Sequence, residues 1–392
     1  MKSNYWVMLL CLLASGFIGC SDDDGDNWKK TFEDEQARIK DFVYTKDSDP
    51  KIFKYQYTYL KENIEDYAYL FNYQKEGKKA TYGDFVWINY TQKSLTGNII
   101  DSSDPSVAVG AGVSPYYTLG GPILVQMNTD AEKYIDPLSD ILMNIPEGTT
   151  GSSIISSIMS LSTALVYREY MVEKIVTEHN LLAYEKSLMK QYLDTVSGIK
   201  SISEFTSNDE IVNNDTIAKI ATFKVGTGAE ITATDSVTIW MEGSILDPFG
   251  TSRKFLKMDK DVESVKESVA SLKPLGLRLA MTKLKVGDKV QVLLPSDMGY
   301  GYGGGFDMST GNCIVPRYST LLYTIEVFDT QKNPKEKLPS NYPFPEIPFL
   351  PYPQNRYKQN KKGTKGRENI LHFFSYLIIQ IRKRKGSSYF YS

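Results

Sequence analysis

Histidine is almost absent: the 392 residues contain two, His179 and His372, beside three cysteines, Cys11, Cys20 and Cys313. So few imidazoles and thiols argue against His-based nucleophilic catalysis. They argue equally against a His/Cys zinc site, which gathers three or four such ligands. No metal and no cofactor is expected. Long apolar runs are missing too, since Val7–Ile18 and Ile370–Ile381 are both too short to span a bilayer comfortably. The body of the chain also lacks basic character. Formal net charge is −2, but residues 355–392 carry ten Lys/Arg against the single acid Glu368, so the rest stands near −11. That acidic body offers no electrostatic footprint for nucleic acid. What remains is globular: 41% hydrophobic and 23% charged residues, in a length that holds two ordinary domains plus appendages.

Residues 1–19 read as a targeting segment, set apart from the fold. Lys2 supplies the positive start and Val7–Ile18 the apolar stretch. Phe17-Ile18-Gly19-Cys20 resembles a bacterial lipobox, which makes Cys20 the lipidated first residue of the mature chain. A plain secretory signal with an incidental cysteine is the alternative. Residues 20–30 follow as an acidic tether, in which Ser21-Asp22-Asp23-Asp24 looks like the surface-export tag of Bacteroidetes lipoproteins. This reading places the protein in the cell envelope, at the outer membrane, with membrane contact through the lipid on Cys20. Only Cys313 is then left in the mature chain, so no disulfide framework is expected.

An internal repeat organises the middle. Ile39–Val43 ends one helix, whose start at Thr31–Asp34 reads as a weak cap, and Met189–Leu193 ends a second of the same character. Asp84–Tyr90 alternates apolar and polar residues like a half-buried strand, and Asp235–Met241 does the same. Val43 and Val86 are 43 residues apart; Leu193 and Val237 are 44 apart. Leu138–Gly148 pairs in character with Leu277–Gly287. Two tandem copies of one helix-plus-sheet domain are therefore expected, at 31–178 and 179–330. Strands alternating with one or two short helices fit an α+β domain with a curved antiparallel sheet.

The second copy ends in a strand (LKVGDKVQVLLP from Leu284), a glycine-rich stretch Gly299-Tyr-Gly-Tyr-Gly-Gly-Gly305, and a returning strand, CIVPRYSTLLYTIEVFD to Asp329. No P-loop lysine follows these glycines and no helix is signalled after them, so they read as a flap and not a phosphate cradle. With the short amphipathic helix before it, this pattern resembles the C-terminal half of an FKBP-type peptidyl-prolyl isomerase. The resemblance implies a sheet wrapped around a short helix, a hydrophobic groove between them, and proline-containing polypeptides as partners. The family's groove positions fall on Phe249, Phe255, Leu277, Tyr300, Val315 and Tyr323, which the resemblance makes the catalytic set. Tyr300 takes the place of the flap tyrosine whose hydroxyl the family uses on the ligand carbonyl. Three positions depart from the pattern: Gly250 replaces an aspartate, Met241 a tyrosine, and Pro274 a residue whose backbone N–H the family offers to the ligand. In the first copy, Tyr90, Asp101 and Leu138 fall on substrate-binding positions. Its flap, in the region Ile155–Ser162, lacks the tyrosine, so this copy is expected to be degenerate.

The resemblance implies prolyl isomerisation assisting the folding of envelope proteins. A non-catalytic peptide-binding or chaperone module, and a structural subunit of a surface complex with envelope protein partners, remain open. Residues 331–392 form a tail that is Pro-rich, then basic. Lys337–Pro353 holds six prolines among aromatic and aliphatic residues and favours extended polyproline geometry. As a spacer, it can be deleted with no change in isomerase kinetics or groove accessibility; a change in either would mean that it docks. Arg382–Lys385 is a basic run suited to anionic lipid.

Overall fold

The computed structural model describes residues 24–128, 135–160, 165–207, 215–250, 253–258, 265–307 and 309–332. Residues 1–19, read above as a targeting segment, Cys20 and the tail beyond Lys332 lie outside these residues. Among the described residues no helix is long and apolar enough to cross a membrane.

Ile39 and Val43, four residues apart and both fully buried, set the face by which the first helix, α1 (Asp24–Lys46), lies on its sheet. Phe42 adds an edge-on contact to Phe71, 6.1 Å between ring centroids. The helix starts before the expected cap at Thr31, so part of the stretch read as a tether is helical. Trp28 explains the extension: it stacks edge-on against Tyr59 at 5.3 Å and gives the early turns an apolar anchor.

The first sheet has seven strands: β1 (Lys51–Tyr59), β2 (Glu62–Phe71), β3 (Phe85–Ser94), β4 (Ile99–Ser102), β5 (Ile123–Gln126), β6 (Thr150–Ile155) and β7 (Val166–Val176). Their order is β1-β2-β6-β7-β3-β4, with β5 also on β3, and every pairing is antiparallel. Short helices α2 (Pro105–Gly110), α3 (Pro137–Leu142) and α4 (Ser157–Ser160) fill the connections. Asp104 and Asp136 cap the first two by accepting from backbone N–H groups at their starts.

Helix α5 (Leu181–Thr195), capped by Asn180, opens the second copy. It is followed by β8 (Ser201–Thr206), β9 (Ile217–Lys224), β10 (Ser236–Leu246), β11 (Arg253–Lys257) and β12 (Val265–Ser268). Helix α6 (Leu275–Met281) comes next, then β13 (Lys289–Leu294), a small hairpin of β14 (Gly305–Phe306) and β15 (Cys313–Val315), and finally β16 (Thr320–Gln331). The second sheet runs β8-β9-β13-β16-β10-β11, with β12 also on β10. Strand for strand this is the order of the first sheet. The α+β class, the two copies and the added N-terminal helix are thus properties of the fold itself.

The second core gathers Val237, Ile239 and Met241 of β10, Leu277, Ala280 and Met281 of α6, and Tyr323, Ile325 and Val327 of β16. Helix α6 approaches the turn after β13 so closely that a Cβ on Gly276 would stand 2.8 Å from both the Leu294 side chain and the Met298 carbonyl oxygen.

The two halves share a buried junction. The Arg253 guanidinium pairs with buried Asp247 at 3.0 Å and donates to the backbone carbonyls of Gly120 and Pro122 across the junction. It also lies over the Trp87 ring, 5.9 Å from the centroid, whose other neighbour is Phe249, edge-on at 5.7 Å. The Trp87 indole N–H donates to the Tyr184 hydroxyl on α5, and Phe85 meets Tyr318. Removing one partner of a buried, hydrogen-bonded ion pair leaves an uncompensated charge, at about 3–5 kcal/mol. Arg253→Met is therefore expected to cost about 3 kcal/mol in urea unfolding followed by tryptophan fluorescence. Adding Asp247→Asn should recover part of that loss; equal losses in both variants would contradict this account of the junction.

Candidate functional site

Strand registers equate positions in the two copies without reference to sequence likeness. In the first, Thr91, Gln92 and Lys93 of β3 face Ser102, Asp101 and Ile99 of β4, with Ile100 bulged out of the pairing. In the second, Glu242, Gly243 and Ser244 of β10 face Lys257, Leu256 and Lys254 of β11, with Phe255 bulged out. Phe255 therefore stands where Ile100 stands, Leu256 where Asp101 stands, and Met241 where Tyr90 stands.

This register corrects one expectation. Phe249 does not join the groove: it lies in the turn between β10 and β11 and packs on Trp87 of the first half. The turn is longer than its counterpart between β3 and β4, and it carries an aromatic residue that resembles the strand position reached only at Phe255.

The other five expected residues of the second copy do come together. Leu277, Val315 and Tyr323 are buried in one cluster, and Phe255 and Tyr300 pack against it, partly exposed. Phe255 stands edge-on to Tyr323 at 5.5 Å and to Tyr300 at 6.4 Å between centroids. Gly243 makes this possible, since a Cβ there would lie 2.7 Å from the Phe255 ring and 3.1 Å from Tyr323. Apart from two phenolic hydroxyls, these five side chains carry no polar atom. Burial, foremost, holds both hydroxyls above the usual tyrosine range, so both stay protonated at neutral pH. The two lie near enough to affect each other's titration, yet the Tyr323 hydroxyl has no well-formed hydrogen bond among the described residues.

The flap over this cluster starts from a single 3₁₀ turn, Ser296–Met298. Gly299 and Gly301 donate backbone N–H groups to the Ser296 carbonyl at 2.9 and 2.8 Å, which folds the chain back at Tyr300. Further along, the flap is tied to the first half. Cys313 donates its N–H to the Tyr116 carbonyl at 2.8 Å, and Thr118 donates to the Cys313 carbonyl at 3.1 Å. Burial pushes the Cys313 thiol up to about 12, so it is inert as a nucleophile near neutral pH.

The first copy is more polar. The Tyr90 hydroxyl donates to Asp101, whose other oxygen accepts from the backbone N–H of Tyr116 at 3.0 Å. Leu138 packs at the edge of the same core. Two further residues escaped the sequence analysis. Tyr117 stands edge-on to Tyr90 at 6.1 Å, and Arg168 occupies the β7 register position equivalent to Tyr323 on β16. A tyrosine pair in a loop and a charged residue in a strand carry no motif; only the pairing register exposes them.

Two open depressions are lined by none of the expected site residues, although the second includes Ser157 and Ile158 from the flap region of the first copy. One, of about 420 Å³, is bounded by Lys186, Lys190, Ile202 and Lys219; the other, of about 400 Å³, by Trp28, Phe32, Glu35 and Tyr59. Among the described residues no group of three His, Cys, Asp or Glu side chains is placed to hold a metal ion.

Residues 227–328 match the family model of the FKBP-type peptidyl-prolyl cis-trans isomerases. The matched stretch contains the five clustered residues and Phe249; the first copy lies outside it. No curated protein sequence matches the chain. Among solved structures, the chain is similar to a peptidyl-prolyl cis-trans isomerase from Pseudomonas syringae pv. tomato at 18% identity, covering 39% of this chain and 94% of that one, with a TM-score of 0.28. It is similar at 13% identity to the three FKBP domains of wheat FKBP73, covering 68% of this chain and 95% of that one, TM-score 0.28. FkpA from Escherichia coli is matched at 20% identity over 39% of this chain and 62% of that one, TM-score 0.28.

Hydroxyl satisfaction separates the two copies in a measurable way. Tyr90→Phe deprives Asp101 of a donor and is expected to cost about 1 kcal/mol. Tyr323→Phe removes a buried hydroxyl without a well-formed bond and should leave stability unchanged or raised. Thermal or urea unfolding checks both, and a larger loss at Tyr323 would contradict the assignment.

Proposed function

We propose that the second copy catalyses cis-trans isomerisation of X–Pro bonds in polypeptides, assisting the folding of proteins in the cell envelope. The observation that carries this reading is the apolar cluster of Phe255, Leu277, Tyr300, Val315 and Tyr323 beneath a glycine-rich flap, inside the stretch that matches the isomerase family. Rotation about an X–Pro bond meets a barrier of roughly 18–20 kcal/mol, although trans is preferred by only about 0.5–1 kcal/mol. No nucleophile or proton transfer is needed. The twisted amide has lost its resonance and is less polar than the planar one, so a water-poor apolar groove favours it over the ground state. Phe255, Leu277 and Tyr323 supply the walls for the proline ring. Tyr300, partly exposed at the flap and protonated at neutral pH, supplies a donor for the carbonyl oxygen.

The lipobox-like sequence ending at Cys20 supports the envelope location and a lipid anchor. Replacement of the lipidation residue, Cys20→Ser, should abolish incorporation of labelled fatty acid and release the protein from membranes.

A second reading is favoured by one specific difference. The Tyr90–Asp101 pair of the first copy is replaced by Met241 and Leu256 in the second, while Tyr300 has no counterpart in the first. Each copy thus holds part of the family's polar set, which suits a peptide-binding module without turnover.

Exchange spectroscopy on Leu-Pro and Phe-Pro peptides, with the whole mature chain, separates the two. Acceleration above the uncatalysed rate is expected, lowered at least tenfold by Phe255→Ala and about tenfold by Tyr300→Phe, the worth of one hydrogen bond in the transition state. Peptide binding with no acceleration, from folded protein, would assign the chain to the second reading.

A further inference from the structure

Glu185 has no role in the groove chemistry, yet its surroundings are unusual for a carboxylate. It lies on α5, the helix that opens the second copy, with 2% of its surface exposed. It accepts the backbone N–H of Ser296 at 2.7 Å and the hydroxyl of Thr320 at 3.1 Å. Ser296 is the residue whose carbonyl receives both Gly299 and Gly301 and so folds the flap back at Tyr300. Thr320 begins β16, the strand that carries Tyr323. One side chain from α5 therefore holds the flap's root and the start of the strand beneath it. Among the described residues no Lys or Arg forms an ion pair with it.

We propose that Glu185 is a positioning residue for the second groove, and that its protonation state sets how firmly the root of the Tyr300 flap is held. As a regulatory role, this rests on the groove reading above; as a statement about the flap's mechanics, it can be tested apart from turnover. The direction follows from linkage. Burial, partly opposed by the bonds from Ser296 and Thr320 and reinforced by Asp297, pushes the carboxyl from its ordinary value of 4.5 up to about 7. Asp297 in the turn after Ser296 and Tyr184 beside it on α5 are the titratable groups that bear on it. Both are acids, so neither compensates the charge that forms. An opening that wets Glu185 returns the carboxyl to its ordinary range. The closed root binds a proton more tightly than the open root, so closure is favoured at low pH. Opening becomes easier as pH climbs from 4.5 towards 7 and levels off above that; complete wetting sets a ceiling of about 300-fold.

Hydrogen exchange of the Ser296, Gly299 and Gly301 amides, corrected for the intrinsic pH dependence, reads this opening directly in the whole mature chain. Protection is expected to fall at least tenfold between pH 5 and pH 8 in the native protein. In Glu185→Gln, which keeps an acceptor for Ser296 but does not titrate, it should stay flat. Thr320→Val removes a donor to the charged form and should move the midpoint upward, a check that survives if Glu185→Gln does not fold. Flat protection in the native protein, or an equal fall in Glu185→Gln, would overturn the proposal. A pH-dependent root without isomerase activity would uphold Glu185 and remove the groove reading; activity with a flat root would do the reverse.

Discussion

The junction around Arg253 is the constraint on which the arrangement of the molecule depends. A guanidinium removed from water needs its charge and its donors answered, and here three bonds come from both halves: Asp247 from its own turn, and the Gly120 and Pro122 carbonyls from across the junction. Those carbonyls lie just beyond Tyr116–Thr118, the segment that pairs with Cys313 at the flap. Fixing Arg253 therefore also fixes the loop against which the flap is braced. The second copy's apolar cluster is packed by its own sheet and helix, and its flap is held by the first copy.

This arrangement makes the first copy a brace for the second. Its loop meets Asp101 on one side, through the Tyr116 N–H, and the flap of the second copy on the other. The two copies differ at equivalent positions. The first has the Tyr90–Asp101 pair and carries Arg168 on the returning strand; the second has Met241, Leu256 and Tyr323 there.

Much of this was legible in the sequence, because the fold writes itself in periodicity. The alternation at Asp84–Tyr90 and Asp235–Met241 became β3 and β10, and the amphipathic stretch from Gly276 became α6. The glycines from Gly299 to Gly304 became a flap, since their sequence signals neither helix nor strand, while Gly305 opens β14. The site was legible wherever a side chain's partner lies within the same motif, as for Tyr300 and Tyr323. It was illegible where position depends on pairing register: Phe249 and Phe255 are both aromatics near the end of β10, and only the bulge opposite Gly243 decides between them. The junction left no trace, because Trp87 meets Tyr184 and Arg253 across large separations in the chain. A lone buried carboxylate reads in sequence like any helical glutamate.

The central claim is that an X–Pro bond is held and turned in the groove of Phe255, Tyr300 and Tyr323. The most direct measurement is NMR of the isotope-labelled protein, titrated with a Phe-Pro peptide that shows separate cis and trans resonances. The account predicts shift changes centred on those three aromatic side chains and the Gly299–Gly301 amides, with exchange broadening that joins the peptide's cis and trans signals. Shift changes confined to the first copy or to the depressions beside α1 and α5, or sharp peptide signals at saturation, would contradict it.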